Sequence, residues 1–315
     1  MIVVTGGAGF IGSNLVRALN RRMLRDIVVV DDLTDGRKFA NLVDCDIADY
    51  WDKGLFSERL RAGTLERPDA VFHQGACAVT TEWDGRYMME TNYRFSTELV
   101  DYCLQRGVPL IYASSAAVYG AGPVFKEGDS SAERPLNVYG YSKLLLDQYV
   151  RRRLADAKSQ IAGLRYFNVY GPGEAHKGPM ASVAFHLHRQ VAADREARLF
   201  EASGGFAAGE QRRDFVHVDD VVRVNLWLYE HPEVSGIFNV GTGASATFNE
   251  VAQAIIDWHG AGQIRYIAFP DELRSRYQSF TQADIGALRA AGYPEPFRDV
   301  RAGVKAYLDV LAAQS

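Results

Sequence analysis

The sequence predicts an α/β fold in which helices cover both faces of a parallel sheet. A short apolar run, Ile2 to Val4, leads directly into a glycine-rich turn and then into a segment whose apolar residues have helical spacing. Apolar runs that end in small or polar residues recur at 27–30, 70–73, 109–115, 163–170 and 238–240. Strands and helices that alternate in this way form a doubly wound, Rossmann-type sheet.

The glycine turn after the first strand has the spacing G-x-x-G-x-x-G, formed by Gly6, Gly9 and Gly12. Gly6 permits the tight turn, Gly9 lets the backbone approach a pyrophosphate, and Gly12 lets the next helix pack on the sheet. That helix presents its N-terminal amides and the positive end of its dipole to phosphates. A glycine-rich turn without a ligand is the alternative, and the strand before and the helix after it argue against that alternative.

Length and composition set further bounds. The chain has 315 residues, of which 47% are hydrophobic, enough for one large domain or two moderate ones. The net charge of −4 gives no reason to expect a nucleic acid or an anionic membrane as a partner. Cys45, Cys77 and Cys103 fit neither a disulfide framework nor a metal site, so we expect buried thiols. The first strand follows Met1 directly and no run approaches about 20 apolar residues, so the expected location is the cytoplasm.

We expect two regions in the chain. Residues 1–170 are expected to form a dinucleotide-binding Rossmann domain, to which the chain returns at about 214–243. Residues 171–213 and 244–315 are expected to form mainly a smaller C-terminal lobe that binds the substrate.

The second strand ends in two acidic residues, Asp31 and Asp32, about 20 residues after the glycine turn. A carboxylate at this place bonds the ribose 2′-hydroxyl and favours NAD. Basic residues follow at Arg37, Lys38 and Lys53, and cations there would hold the extra phosphate of NADP. A solvated loop is the alternative for Arg37 and Lys38. The residues alone therefore leave NAD and NADP both open.

Two further strand ends are expected near the cofactor. The segment 44–47 is expected to end the third strand, and the run 70–73 leads into a small-residue turn at 75–77 that suits close backbone approach. A helix is expected from about Met88 to Gln105. Asn92 lies near its start, and the sequence leaves open whether it has a function.

The strand 109–115 ends in serine, and a helix that begins near Tyr139 carries Lys143 four residues later, on the same face. A phenol with a pKa near 10 is a poor base at neutral pH, so we expect the Lys143 ammonium to lower the pKa of Tyr139. Ser115 would bond the substrate oxygen while Tyr139 takes or gives the proton as hydride moves. A surface helix pair is the alternative, which the serine-ended strand and the glycine turn disfavour.

The strand 163–170 ends in Asn168 and Val169, which we expect beside the site. The looser segment 173–180 is where we expect the first crossing into the second lobe. A helix is expected at 181–193.

Three pairs of residues in the second half of the chain give weaker indications of function. His186 and His188 are two apart and point to different helix faces, so no joint metal site is expected. Arg212 or Arg213 could clamp a diphosphate, with a structural arginine–aspartate pair as the alternative. A helix is expected over 221–229, and Asp219 and Asp220 are expected to cap it.

These motifs together resemble the extended short-chain dehydrogenases/reductases that act on nucleotide sugars. The resemblance covers nearly the whole chain: T-G-G-A-G-F-I-G, S-S-A-A-V-Y-G, Tyr139 to Lys143, R-Y-F-N-V-Y-G-P and R-R-D-F-V-H-V-D-D. Within that superfamily, the stretches at 75–89, 176–186 and 276–284 resemble the ADP-L-glycero-D-manno-heptose 6-epimerase family.

The resemblance implies an epimerase of the nucleotide-sugar class, which interconverts ADP-D-glycero- and ADP-L-glycero-D-manno-heptose for the inner core of lipopolysaccharide. It implies oxidation of the C6″ alcohol to a ketone and return of hydride to the opposite face, with tightly bound NADP. Tyr139 would serve as one acid/base group, and Lys177, in the family's H-K-G motif, as the other. The family's assembly is a homopentamer.

Site residues follow from the resemblance by position. The residues implied for the cofactor are Gly6, Gly9, Phe10, Ile11, Gly12, Asp31, Asp32, Lys38, Lys53, Gly75, Ala76, Cys77, Ala78, Val79, Asn92, Tyr139, Lys143, Val169 and Lys177. Those implied for the substrate are Ser115, Asn168, Pro179, His186, Phe200, Glu201, Ala202, Ser203, Arg213 and Tyr277. Two departures concern the sugar contacts, since Pro179 replaces a usual serine and the loop 207–211 is longer.

Three other functions are weighed against this one. A UDP-hexose 4-epimerase is disfavoured by Lys177 and by the T-T-E-W-D-G stretch, and a 4,6-dehydratase by Ala116 and Ala117, where it needs an acid pair. A non-catalytic NADP-binding sensor with the same fold would be expected to lose the tyrosine or the lysine. This chain keeps both.

Overall fold

Strands and helices alternate along most of the chain, as the sequence predicts. The computed structural model of the protein describes residues 1–270 and 278–314. Within them the strands are β1 (Ile2–Thr5), β2 (Ile27–Asp31), β3 (Asp49–Asp52), β4 (Ala70–His73), β5 (Leu110–Ser115), β6 (Ile161–Tyr166), β7 (Asn168–Tyr170), β8 (Glu196–Phe200), β9 (Arg212–Arg213), β10 (Phe215–His217), β11 (Gly236–Val240), β12 (Ala246–Thr247) and β13 (Gln263–Ile267). The α-helices are α1 (Phe10–Arg21), α2 (Lys53–Ala62), α3 (Gly85–Met88), α4 (Phe95–Arg106), α5 (Val138–Leu154), α6 (Val183–Asp194), α7 (Val218–Glu230), α8 (Phe248–His259), α9 (Gly286–Ala290) and α10 (Val300–Gln314). Short 3₁₀ segments lie at Gly36–Asn41, Ala116–Tyr119, Ser130–Ala132 and Ala175–Met180, and a π-helical segment lies at Met89–Arg94.

The seven-stranded sheet has the order β11-β6-β5-β4-β1-β2-β3. β1 pairs in parallel with both β2 and β4, and the β2–β3 and β4–β5 pairs are also parallel. The strand order changes direction at β1 and β4, which is the switch point where open α/β sheets bind ligands. The predicted fold class is confirmed, and this topology brings the turn after β1 beside the turn after β4.

The third strand of the sheet is Asp49–Asp52, so the prediction that a strand ends at 44–47 is wrong. Residues 42–44 form a turn in which Val43 is exposed. β3 lies at the edge of the sheet and buries only Trp51. An edge strand with a single buried apolar residue lacks the apolar pattern by which buried strands are predicted from sequence.

The chain divides into two compact units, and the first comprises Met1–Val118, Pro135–Arg165 and Val222–Phe238. Its core lies between the sheet and its helices. Large buried contributors to that core include Phe56, Leu99 and Tyr112.

The second unit comprises Tyr119–Arg134, Tyr166–Val221 and Asn239–Ser315. Its core lies where α6, α8 and α10 pack on β8 and β10, through residues such as Leu187, Ile255 and Leu308. These boundaries differ from the expected ones, since 119–134, 166–170, 214–221 and 239–243 belong to this unit. The reason at 119–134 is aromatic packing, because the ring of Phe125 lies 5.9 Å from that of Phe167 and 6.0 Å from that of Phe280.

The helix α7 begins at Val218, so Asp219 and Asp220 lie inside its first turn and the prediction that they cap it is wrong. Asp220 is fully buried and accepts hydrogen bonds from Arg298, at 2.7 Å from the backbone nitrogen and 2.9 Å from Nη1. Asp220 therefore holds Arg298, in a distant segment of the second unit, by a charged contact. Both acidic residues also interact favourably with the positive end of the helix dipole.

The three cysteines have free thiols. Cys103 is buried, as predicted, whereas Cys45 and Cys77 are half-buried. None of the helices in the described ranges is long and apolar enough to cross a membrane.

Candidate functional site

The glycine turn connects β1 to α1 with very little space. Gly6 has a φ of +68°, and a Cβ there would lie 2.6 Å from Gly75 in the turn after β4. A Cβ at Gly12 would lie 2.1 Å from the carbonyl oxygen of Gly6. Contacts this short exclude any side chain, so both positions require glycine. The turn and the first turn of α1 are therefore packed as closely as a dinucleotide-binding turn must be.

The start of α1 suits an anion. Among the described residues, no side chain caps its N-terminus at Gly9, and no acidic residue lies in its first turn. Helix N-termini carry unpaired amides and the positive end of the dipole. The glycine turn and this uncapped helix start thus fit the pyrophosphate of a dinucleotide.

The acidic end of β2 is neutralised by nearby lysines. Asp31 is buried, accepts a hydrogen bond from the backbone nitrogen of Ala8 at 2.8 Å, and pairs with Lys38 at 2.7 Å. Asp32 pairs with Lys53, and this contact holds the pKa of the Asp32 carboxyl well below its usual range. A carboxylate for a ribose hydroxyl and cations for a 2′-phosphate therefore lie together at this strand end, so the predicted conflict between NAD and NADP persists in the structure.

The turn after β4 is held by Asn92, which lies in the π-helical segment. The backbone nitrogen of Cys77 donates to Asn92 Oδ1 at 2.8 Å, and Asn92 Nδ2 donates to the Cys77 carbonyl at 2.9 Å. Asn92 Nδ2 also lies 3.3 Å from Ser142 Oγ in α5. π-Helical segments are frequent at functional sites. Asn92 therefore positions the predicted cofactor turn, a role that the sequence left open.

A buried chain of hydrogen bonds supports the same turn. The backbone nitrogen of Gly75 donates to Thr5 Oγ1 at 3.2 Å, and Thr5 Oγ1 lies 2.6 Å from His73 Nδ1. His73 Nε2 lies 2.7 Å from Ser96 Oγ, whose hydroxyl donates to the Asn92 carbonyl at 2.8 Å. Since Ser96 donates to that carbonyl, it accepts from His73 Nε2, and Nδ1 accepts from Thr5. The neutral ring completes the chain, and burial lowers the pKa of His73 to about 3.

We expect the stability of the protein to fall between pH 7 and pH 5 because of His73. The unfolded chain binds a proton at His73 with a pKa near 6.5, whereas the folded chain does not until about pH 3. The unfolded state therefore gains protons first, and the free energy of unfolding declines by up to about 1.4 kcal/mol per pH unit below 6.5. Urea unfolding of the wild type and His73→Asn at both pH values measures this. An equal decline in both proteins would contradict the assignment to His73.

The predicted catalytic residues of the first unit lie together. Ser115 ends β5, and its side chain forms a hydrogen bond with Tyr139, which is in the first turn of α5. Ser115 Oγ also accepts from the backbone nitrogen of Ala117 at 3.1 Å, which orients the hydroxyl. Lys143 is only 2% exposed, and its Nζ donates to the Ala113 carbonyl in β5 at 2.8 Å. The strand end and the helix thus hold a hydroxyl, a phenol and an ammonium side by side.

The predicted direction of the Tyr139 pKa shift is wrong. Burial raises the pKa of Tyr139 above its ordinary value, and the hydrogen bond with Ser115 opposes that rise. Lys143 does not offset this rise, so the expected effect of its charge on Tyr139 is not found. Burial lowers the pKa of Lys143 to about 8, and Asp147 opposes this. At neutral pH both groups therefore hold their protons, so the phenol is neutral and the ammonium is charged.

Asp147, one helical turn after Lys143, was not predicted as a functional residue. It is fully buried, pairs with Arg165 Nε at 2.8 Å, and accepts from Tyr112 and Ser114, each at 2.9 Å. The network ties α5 to β5 and β6 beneath the catalytic residues. The spacing of four residues from Lys143 was a usable signal, but the partners on two strands were not visible in the sequence.

The second unit carries Asn168 and Val169 on β7, which pairs in parallel with β10. Asn168 is exposed, and its Oδ1 accepts from Thr281 Oγ1 at 3.3 Å. Below it, the buried carboxylate of Asp214 accepts from the backbone nitrogens of Thr242, Gly243 and Ala283 at 2.7–3.0 Å. Asp214 therefore anchors the loops around β7, another function that the sequence analysis missed.

Lys177 lies in the 3₁₀ segment Ala175–Met180, inside the region where the sequence predicts a loop. Burial lowers the pKa of the Lys177 ammonium, and the negative charge of Glu174 opposes this. Gly178 follows with a φ of 54°, and Pro179 is exposed. A lysine with a lowered pKa is suited to proton transfer near neutral pH.

The remaining predicted substrate residues are spread over the second unit. His186 is half-buried on α6, Phe200 ends β8 with its ring 5.0 Å from that of Phe269, and Arg213 is 7% exposed on β9. Arg212, the alternative clamp, donates to Ser245. Exposed residues Glu201 and Ala202 and half-buried Ser203 begin the loop after β8. Tyr277 lies outside the described residues.

His188 lies against His259, and within the described ranges no cluster of three metal-ligating side chains occurs.

Comparison with known proteins identifies the family. Residues 2–241 match the model of the NAD dependent epimerase/dehydratase family. The chain belongs to this family. It is 60% identical over 313 residues, 99% of this chain and 98% of the relative, to an ADP-L-glycero-D-manno-heptose-6-epimerase of Alkalilimnicola ehrlichii. The family resemblance predicted from the sequence is confirmed.

Solved structures of family members agree with this assignment. The ADP-L-glycero-D-manno-heptose-6-epimerase of Helicobacter pylori is 32% identical with a TM-score of 0.85, covering 99% of this chain and 96% of that one. A UDP-glucose 4-epimerase of Thermus thermophilus in complex with NAD is 27% identical with a TM-score of 0.80, covering 100% and 99%. Family membership and the glycine turn together support a nicotinamide dinucleotide as the cofactor and a nucleotide sugar as the substrate.

Proposed function

We propose that the protein is an ADP-L-glycero-D-manno-heptose 6-epimerase, which inverts C6″ of ADP-D-glycero-D-manno-heptose for the inner core of lipopolysaccharide. The observation that carries the proposal is 60% identity to such an epimerase over 99% of the chain. The geometry of the first unit agrees, because the hydrogen-bonded Ser115 and Tyr139 beside the buried Lys143 are suited to oxidising an alcohol and reducing a ketone.

The reaction begins with the loss of one hydrogen from C6″ and one from its hydroxyl oxygen. When bound, a nicotinamide dinucleotide supplies an acceptor and a donor of hydride for this carbon. An acid/base group removes the hydroxyl proton as hydride leaves, which gives a 6″-ketone. Return of hydride to the opposite face, with a proton delivered to the ketone oxygen, gives the epimer. Nothing is consumed, since each hydrogen taken in the first half is returned in the second.

Tyr139 is the acid/base group of the first unit. Ser115 orients the reacting oxygen and shares its hydrogen bond with the phenol, while Lys143 keeps a positive charge beside it. Because burial raises the pKa of Tyr139, the phenol holds its proton firmly at neutral pH. We assign it to delivery of a proton to the ketone oxygen in one half-reaction and to its removal in reverse.

Lys177 is the second acid/base group. Inversion requires the ketone to present its opposite face to the hydride, and by the resemblance a second acid/base group serves that half-reaction. Lys177 has the chemistry for this role, because burial lowers the pKa of its ammonium. A lowered pKa makes the neutral amine, the form that accepts a proton, easier to reach.

The cofactor is proposed to be NADP. Gly6, Gly9 and Gly12 would hold the pyrophosphate, and Lys38 and Lys53, which already lie beside carboxylates at the end of β2, would hold the 2′-phosphate. The segment 75–79, Asn92, Val169 and the other residues predicted for the cofactor are part of the same proposal. By the same resemblance, the substrate contacts are Asn168, Pro179, His186, 200–203, Arg213 and Tyr277, and the assembly is a homopentamer, which light scattering in solution tests.

The decisive experiment uses ADP-D-glycero-D-manno-heptose and purified protein without added cofactor, with the C6″ configuration followed by NMR. We expect the wild type to equilibrate the two epimers and Lys177→Met to lose about 10²- to 10⁴-fold in rate. Lys305→Met, on the exposed face of α10, is the matched control and should keep the wild-type rate. Acid release and mass spectrometry of the bound dinucleotide identify NADP by its extra phosphate.

Two outcomes would overturn the proposal. An untouched heptose together with turnover of a UDP-hexose would make the protein a hexose 4-epimerase. No turnover of any nucleotide sugar, with NADP still bound, would favour a sensor.

A further inference from the structure

The turn that carries Lys177 starts at a buried carboxylate. Glu174 directly precedes the 3₁₀ segment, and the backbone nitrogen of Lys177 donates to the Glu174 carbonyl at 2.9 Å. Glu174 is 0% exposed. An ionised carboxylate without contact to water is costly unless hydrogen bonds and charge compensate it. The groups that surround Glu174 therefore indicate its role.

Four neutral donors hold the Glu174 carboxylate. Oε1 accepts from Ser182 Oγ at 2.7 Å and from the backbone nitrogen of Gly171 at 3.3 Å. Oε2 accepts from the backbone nitrogen of Ser182, and the hydroxyl of Tyr307, on α10, also bonds the carboxylate. The group is thus fixed from the segment before it, from the start of α6 and from α10. Its position cannot vary while these elements stay packed.

The groups packed around this carboxylate include aromatic rings, and the charges of Asp220, Arg298 and Asp299 act on one of them, Tyr170. Tyr307 donates to the carboxylate, Tyr170 lies behind with its ring 6.4 Å from that of Tyr307, and His217 stacks edge-on against Tyr170 at 5.5 Å. In the described part of the chain, Glu174 forms no ion pair within 4.0 Å. The charge that acts on Lys177 against the effect of burial is that of Glu174.

We propose that Glu174 is a positioning residue for Lys177, which fixes the turn that carries the lysine and supplies the negative charge that keeps its ammonium available as a proton donor. This inference rests on the proposed function of Lys177 as an acid/base group. The hydrogen bonds hold the carboxylate, the 3₁₀ backbone bond joins it to Lys177, and the charge stabilises the cation. Glu174 itself has no assigned contact with the substrate.

The negative charge of Glu174 has a function in a reaction that uses two acid/base groups. Lys177 must give a proton in one direction of the reaction and take one in the other, so both of its forms must be populated near neutral pH. Burial favours the neutral amine, and the negative charge of Glu174 opposes this. A fixed carboxylate offsets this without a covalent role, and it acts from a distance that its four hydrogen bonds set.

Glu174→Gln tests the charge. The amide is nearly isosteric and removes the charge, although its NH2 must face a backbone donor, Gly171 N or Ser182 N. The pKa of Lys177 should fall by about one unit or more. Competitive labelling with acetic anhydride over a pH series, with the Lys177 peptide quantified by mass spectrometry, reports that pKa without any turnover. In the direction of the reaction in which Lys177 donates its proton, the basic limb of the pH–rate profile should move to lower pH by the same amount. A labelling midpoint equal to that of the wild type would overturn the proposal.

Glu174→Asp tests the positioning and does not depend on how the glutamine variant folds. Aspartate keeps the charge but is one methylene too short to reach all four donors. We expect a lower kcat at nearly unchanged KM, with a labelling midpoint closer to the wild type than that of the glutamine variant. Wild-type kcat in this variant would refute the positioning role.

The labelling readout separates this inference from the proposed function. If Lys177→Met retains full epimerase activity, the acid/base role of Lys177 fails. A shifted labelling midpoint in Glu174→Gln would still show that Glu174 controls the lysine. If Lys177→Met is inactive and the midpoint does not shift, the proposed function stands and the role of Glu174 is overturned.

Discussion

Replacing Tyr139 with phenylalanine should lower the kcat of epimerisation by about 10²- to 10⁴-fold, the usual contribution of a positioned proton-transfer group. The ring is kept, so packing at the start of α5 is preserved, and only the oxygen bonded to Ser115 is lost. KM should change little because the lost interaction serves the transition state. The rate is measured by NMR of the C6″ signals under saturating substrate.

Tyr141 is a matched control for this variant. It lies two residues further along α5 and is 48% exposed, so its phenol points away from the Ser115 side of the helix. Tyr141→Phe should keep the wild-type rate to within about twofold, as is usual for surface changes. If Tyr139→Phe were as active as Tyr141→Phe, the assignment of the phenol as an acid/base group would be wrong.

The raised pKa of Tyr139 changes how this site is understood. The sequence places a lysine one helical turn from a tyrosine and invites the conclusion that the cation lowers the phenol's pKa. In the structure both groups are desolvated, and burial disfavours the charged form of each, so the pKa of the phenol rises while that of the ammonium falls. Charge pairing can be read from spacing, whereas burial depends on the strands that pack against the helix.

The parts of the fold that the sequence predicts well are those in which one local rule determines the geometry. Gly12 has no room for a side chain because a Cβ there would meet the carbonyl oxygen of Gly6, and the strand before this turn is buried along its whole length. Ser115 and Tyr139 come together because a parallel strand end and the following helix start must lie at the same edge of the sheet. In each of these cases a short segment of sequence contains the whole physical reason.

The parts of the structure that the sequence does not predict depend on contacts between distant segments. From the sequence, His73 is an ordinary strand residue. Its role depends on Thr5 and Ser96, whose hydroxyls lie within hydrogen-bond distance of its two ring nitrogens. Glu174 looked like a loop carboxylate, because the tyrosine that bonds it lies 133 residues later. Polar residues of this kind show no periodicity, and their burial is decided by the tertiary structure.

Asp147 gives the largest stability effect that we expect from a single polar change. Asp147→Asn should lower the free energy of unfolding by about 3–5 kcal/mol, because breaking one side of a buried ion pair leaves the other charge uncompensated. The pair with Arg165 is 0% exposed on both sides, so water cannot take over the role of the carboxylate. Urea unfolding near pH 7.5 measures the loss. Glu98→Gln, which removes the half-buried partner of the exposed Arg61, should leave the unfolding midpoint close to that of the wild type.

A double replacement distinguishes an ion pair from a mere packing defect. With Asp147→Asn and Arg165→Met together, no charge is left buried, so the double variant should lose less stability than the sum of the two single variants. Asp147 also opposes the effect of burial on the pKa of Lys143, so its loss should lower that pKa further below about 8. Additive losses of stability with an unchanged Lys143 pKa would mean that Asp147 neither balances Arg165 nor supports the catalytic lysine.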